Sequence, residues 1–122
     1  MDIFCKIINK EIPSKTIYED EIVKVILDIE PQSTGHTLII PKKHFQDLHD
    51  IEIDTLTHIM KTAKKIATLL EEKLKTKSII LIQNNGEAEE VKHYHLHLVP
   101  EYHQDPKYTI DEVYKILVEQ GE

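Results

Sequence analysis

Three histidines alternate with aromatic and aliphatic residues in the segment Val91-Lys92-His93-Tyr94-His95-Leu96-His97-Leu98-Val99-Pro100. On a strand of period two, His93, His95 and His97 share one face while Tyr94, Leu96 and Leu98 share the other. One face reads as core and the other as chemistry. Imidazole titrates near neutrality and can serve as nucleophile, proton carrier or metal ligand. A common metal ion is limited by reach: at about 3.3 Å per residue, His93 and His97 stand about 13 Å apart along the strand. Zinc–nitrogen bonds are only about 2.1 Å long, so at most a neighbouring pair would ligate one ion. A nucleophilic role uses all three, with His95 as the attacker and its neighbours positioning it and managing protons or phosphate charge.

The elements that must hold this face are readable from pattern. Residues 42–85 contain neither Gly nor Pro, and Leu56, Ile59, Met60, Ala63, Ile66, Ala67, Leu70 and Leu74 fall on one face of an amphipathic helix over residues 54–75. Short, β-branched segments bounded by turn residues predict strands over 21–28, 36–41, 78–83 and 92–100, with a fifth over 17–19. Ile3, Phe4, Ile7 and Ile8 recur at helical spacing, and Thr109-x-x-Glu112 has the form of a capping box opening a short helix to about residue 119. The expected class is α+β: a five-stranded antiparallel meander carrying one long helix and short terminal helices. The run 78–82 is apolar at alternate and intervening positions alike, so it should be covered on both sides or buried at an interface.

The 122 residues fit a single domain, 1–122, and 40% apolar with 30% charged residues excludes a disordered or membrane protein. A formal net charge of -7 argues against a nucleic-acid backbone as partner, since phosphate neutralisation needs clustered Lys and Arg. A lone cysteine, Cys5, allows no internal disulfide, and the first residues lack a basic segment ahead of an apolar run, so the cytoplasm is the expected compartment.

The block His93-Tyr94-His95-Leu96-His97-Leu98-Val99-Pro100 resembles the hallmark of the histidine triad family. The opening from Ile3 to Pro31, the block Gly35-His36-Thr37-Leu38-Ile39-Ile40-Pro41-Lys42-Lys43-His44 and the turn Asn84-Asn85-Gly86 resemble further family segments in the same order. The likeness is to the histidine triad nucleotide-binding branch and its bacterial relatives, homodimeric nucleotidyl hydrolases. It implies that His95 attacks the α-phosphorus of a nucleoside 5'-phosphate derivative and forms a covalent nucleotidyl-histidine. It also implies that His97 contacts phosphate or leaving group, while His93 and His36 orient the nucleophile and share protons. By the same resemblance Asn84 hydrogen-bonds phosphate or ribose, Asp28 takes the ribose hydroxyls, and Ile3, Phe4, Ile7, Ile12 and Ile29 wall the base. The implied activity is hydrolysis of purine nucleoside phosphoramidates such as adenylated amines, with AMP bound as product. Hydrolysis of dinucleoside polyphosphates and nucleotide binding with weak turnover are the alternatives.

Two departures stand out. Family members usually carry a Gly-Gln pair between the Asn-Gly turn and the triad. Here that segment is two residues shorter and reads Glu87-Ala88-Glu89-Glu90-Val91-Lys92, where three glutamates should repel a substrate anion. Lys92 would point away from the histidine face. Some bacterial relatives bind zinc through Cys-x-x-Cys and two histidines matching His44 and His93; Asp2 replaces the first cysteine ahead of Cys5, so no obligatory metal is expected. His44 is expected to be structural, and His49, His58 and His103 carry no evident role.

Overall fold

The computed structural model describes residues 2–118. Its elements are α1 (Ile3–Ile8), β1 (Thr16–Glu19), β2 (Val23–Leu27), β3 (Thr37–Pro41), α2 (Ile53–Leu74), β4 (Ser78–Ile82), a 3-10 turn (Gly86–Ala88), β5 (Leu96–Glu101) and α3 (Ile110–Val118). The five strands form one sheet in the order β1-β2-β3-β5-β4, with every neighbouring pair antiparallel. The meander holds for β1, β2 and β3. Beyond it α2 crosses the sheet, so β3 and β4 run in the same direction on either side of β5.

The apolar pattern explains the layering. Val23, Val25 and Leu27 of β2, Ile39 of β3, and Leu96 and Leu98 of β5 pack beneath Ile59, Ala63, Ile66, Leu70 and Leu74 of α2, with Val113 and Leu117 of α3 closing the same core. The intervening residues Ile26, Leu38 and Ile40 turn to the opposite face and meet Phe4 and Ile7 of α1. Both β2 and β3 are therefore buried on both faces, which is why they read as nearly continuous apolar runs. Each fully buried Ile, Leu or Val removes enough apolar surface from water to contribute about 1.5–3 kcal/mol.

The capping box at α3 forms as its sequence predicts: the Thr109 amide donates to Glu112 Oε1 at 2.8 Å and the Glu112 amide donates to Thr109 Oγ1 at 3.1 Å. The expected end of this helix near residue 119 lies outside the described residues. Of the two expectations for residues 78–82, cover on both sides within the chain is not met, because β4 is the outer edge of the sheet, with Ile80 40% and Leu81 42% exposed. Among the described residues nothing covers both sides of this strand. Among the described residues no helix is long and apolar enough to cross a membrane.

Candidate active site

The three histidines share a face, but not as members of one strand. β5 begins at Leu96, so only His97 sits in the ladder, opposite Leu38 of β3 and Ile82 of β4. His93 and His95 lie in the irregular segment ahead of it, which corrects the strand expected over 92–100. Alternation survives because the core still sorts the side chains: Tyr94, Leu96 and Leu98 enter the main core beneath α2. Phe4 of α1 packs on the other side against His95 and His93, with ring centroids 4.7 and 6.0 Å away.

Hydrogen-bond direction fixes which ring nitrogens carry protons. His95 Nδ1 lies 2.7 Å from the His93 carbonyl, which can only accept, so Nδ1 donates; a lone pair for attack can therefore reside only on Nε2, the nitrogen that Glu89 Oε2 faces at 3.3 Å. His36 Nδ1 accepts the Gln32 amide at 3.0 Å, placing the His36 proton on Nε2. That nitrogen lies 3.0 Å from His97 Nδ1, which must then accept, and His97 carries its own proton on Nε2. The site thus holds a nucleophile-type nitrogen on His95 and a donor on His97, with ring centroids 4.9 Å apart. Burial lowers the His97 pKa to about 4, helped by the neighbouring His95 and His36 rings and opposed by Asp28 and Glu89. Burial also lowers that of His36, against the pull of Asp28, whose Oδ2 lies 3.5 Å from Nε2. Both rings are neutral at physiological pH, as the proton assignment requires.

Position follows from local structure. Gly35, at φ +86°, turns the chain into β3 and presents His36. The Ser33 hydroxyl donates to the Pro100 carbonyl at 2.5 Å, the Thr34 amide to Asp105 at 3.1 Å, and the Tyr102 hydroxyl to the Thr34 carbonyl at 2.5 Å. These bonds tie the turn to the end of β5. His95 and His97 open onto a cleft of about 330 Å³ that Gln32, Ile82, Asn84 and Glu89 also line. Asn84 therefore joins the histidines, and Asp28 reaches them through His36. Phe4 and Ile7 are buried in the second core with Ile12 against them, whereas Ile3 is partly exposed and Ile29 is 72% exposed, away from that cluster.

Comparison with known proteins agrees with this geometry. The HIT domain family model matches residues 9–104. The chain belongs to the HIT family. An uncharacterized HIT-like protein of Methanocaldococcus jannaschii is 45% identical over 107 residues, covering 86% of this chain and 82% of that protein. Adenosine 5'-monophosphoramidase HNT1 of Saccharomyces cerevisiae is 47% identical over 100 residues, 80% of this chain and 61% of that protein. The crystal structure of a Zn-bound histidine triad family protein from Mycobacterium smegmatis superposes with a TM-score of 0.87 at 35% identity, covering 95% of this chain and 89% of that one. A Hit-like protein from Bartonella henselae gives the same TM-score at 37% identity and covers 95% and 93%.

Within this HIT domain a second polar group gathers behind the cleft. His93 Nε2 donates to the Pro41 carbonyl at 2.9 Å, so the lone pair on Nδ1 faces Asp2 Oδ1 at 3.3 Å and Cys5 Sγ at 3.4 Å. His44 Nδ1 lies 3.2 Å from Asp2 Oδ2 and 3.5 Å from Cys5 Sγ. One ligand atom from each of the four lies within 4.8 Å of the others. This oxygen, sulfur and two-nitrogen donor set suits zinc. Burial and the Asp2 charge raise the Cys5 thiol pKa, so in this state the thiol is protonated. His58, to which the sequence assigns no role, bonds Asp20 Oδ2 at 2.7 Å and joins α2 to the β1–β2 turn.

Sequence reasoning missed two participants. The Gln32 amide sets the His36 tautomer, and a backbone group leaves no mark in side-chain pattern. Glu89 was visible only as one of three acids in segment 87–92, yet its Oε2 lies 3.3 Å from His95 Nε2.

Proposed function

We propose that this HIT protein hydrolyses the phosphorus–nitrogen bond of purine nucleoside 5'-phosphoramidates, such as adenylated amines, through a nucleotidyl intermediate on His95. The observation that supports this most strongly is the 2.7 Å bond from His95 Nδ1 to the His93 carbonyl, which leaves the Nε2 lone pair at the cleft. Nε2 attacks the α-phosphorus and the amine departs on the opposite side, hydrogen-bonded by the His97 Nε2 proton. The departing nitrogen takes up a proton from solvent in the open cleft as the bond breaks, and the water that opens the nucleotidyl-histidine releases one proton back to solvent. Each cycle consumes one water and yields a nucleoside monophosphate and an amine. Asp28 keeps lone pairs for the ribose hydroxyls while its Oδ1 accepts the Glu30 amide at 2.9 Å. The similarity to a phosphoramidase supports the same substrate class.

The Asp2, Cys5, His44 and His93 group holds no reacting atom in this scheme. A zinc ion bound there would clamp α1 to the segment before β5, a structural contribution, and stoichiometric metal in purified protein would support that role. The exposed apolar edge of β4, with Ile80 and Leu81 at its surface, fits an isologous dimer in which two such edges pair. The hydrolase reading is tested by steady-state kinetics on an adenosine 5'-phosphoramidate. His95→Ala is expected to lose at least about 10³-fold in kcat while still binding AMP, because removal of a nucleophile leaves only positioning and charge stabilisation. Turnover that survives in this variant contradicts the scheme.

A further inference from the structure

Within the cleft a carboxylate covers the atom assigned to attack. Glu89 Oε2 lies 3.3 Å from His95 Nε2, with the glutamate side chain 13% exposed and the histidine side chain 6%. The other carboxylate oxygen accepts the Val91 amide at 3.0 Å, which pins the group over the ring. Lys92 does not neutralise it. Its ammonium donates instead to the backbone carbonyls of Gly86 and Glu89, closing the short segment on itself. The shortened loop has thus placed a carboxylate where the phosphoryl group must arrive.

Resting on the hydrolase reading above, we infer that Glu89 is a specificity-determining residue that makes this site select its leaving group by charge. For attack in line, phosphorus must take the position Glu89 occupies beside Nε2, so the carboxylate moves aside. Its loop is short and anchored, and the displaced charge stays within the cleft that Gln32, Asn84, Val91 and His97 line; Glu90, the other carboxylate on that cleft, is solvent-exposed and therefore more strongly screened. Every nucleotide brings the same α-phosphate anion, so that repulsion is common to all substrates and cancels in a comparison. The leaving group differs. A leaving amine with a second, protonated amino group is attracted to the carboxylate, while one bearing a carboxylate or a polyphosphate chain adds a further repulsion. In a partly enclosed cleft such pairs are screened less than on open surface. Discrimination of this kind rests on a repulsive element as much as on an attractive one.

The test compares kcat/KM for three adenosine 5'-phosphoramidates of matched length, made from 1,3-diaminopropane, propylamine and β-alanine. Wild type should prefer the cationic over the anionic substrate by about tenfold or more, the neutral one falling between, as expected for unit charges a few ångströms apart in a partly buried site. Glu89→Gln should compress that ratio to within about threefold, chiefly by raising kcat/KM for the anionic substrate. Glu87→Gln makes the same change of net charge at an exposed position outside the cleft and should leave the ratio as in wild type. Intrinsic differences between the amines cancel because the readout is the change in ratio between proteins. A wild type without charge preference, a Glu89→Gln variant that keeps it, or a Glu87→Gln variant that loses it equally overturns the inference. Failure of all three proteins on all three substrates instead overturns the hydrolase reading on which it rests.

Discussion

At the scale of single residues, proton placement separates the roles of chemically identical rings. His95 donates through Nδ1 and His97 accepts there, so one offers a lone pair and the other a proton, although both sit on the same face. Side-chain spacing alone made the histidines a group and put His95 in its centre; it could not show the backbone groups of His93 and Gln32 that set the tautomers. The low His97 pKa has a consequence for stability. An unfolded histidine titrates near about 6.5, whereas folded His97 does so at about 4, and the His36 pKa is also lowered. Between those values the unfolded chain binds more protons, so stability rises with pH through this window. The stabilisation is fully present above about pH 6.5 and is lost as pH falls towards 4. Thermal unfolding followed from pH 7 to 4.5 should show a drop in Tm that is shallower in His97→Asn than in wild type. Parallel profiles would contradict the assignment.

At the scale of elements, the long helix and the capping box were legible because each depends on side-chain spacing within one segment. The start of β5 was not, since alternation persists through His93 and Tyr94 while the ladder begins at Leu96. There the sheet neighbour, and not the pattern, decides where pairing starts. The position of β5 between β3 and β4 is equally a property of assembly, created by the α2 crossover. The turn that carries His36 depends on Gly35. At φ +86° a side chain is strained, and a Cβ there would lie 2.6 Å from Leu74 Cδ1 and 3.4 Å from Pro100 Cγ. Gly35→Ala should cost about 1–2 kcal/mol from backbone strain alone. In a domain of this size that corresponds to a fall in Tm of roughly 5–10 °C. Because the same turn holds His36 against His97, kcat should fall as well. An unchanged Tm, measured by calorimetry, would show that the turn relaxes without strain.

At the scale of the whole molecule, the exposed edge of β4 is the feature least explained by one chain. A flat apolar edge invites pairing, and Lys or Glu is the residue that sheets use to prevent it. Sequence pattern marked residues 78–82 as covered on both sides or buried at an interface, and among the described residues the sheet leaves Ile80 and Leu81 exposed at its edge. Replacing Ile80 or Leu81 with Lys is therefore expected to convert a dimer to a monomer in sedimentation measurements, and a wild-type protein that sediments as a monomer at micromolar concentration would remove the dimer from the account. The acidic balance of the chain also changes meaning at this scale. As a bulk property it argues against a nucleic-acid backbone as partner, but one of its carboxylates stands over the nitrogen proposed to do the chemistry.

The most direct measurement is a rapid quench of the protein with an adenosine 5'-phosphoramidate labelled at phosphorus, followed by mapping of the labelled peptide. The account predicts a nucleotidyl group on His95 that forms and decays at rates able to support kcat, and none in His95→Ala. Label on another residue, or hydrolysis at the full rate with no covalent adduct at any time, would contradict it.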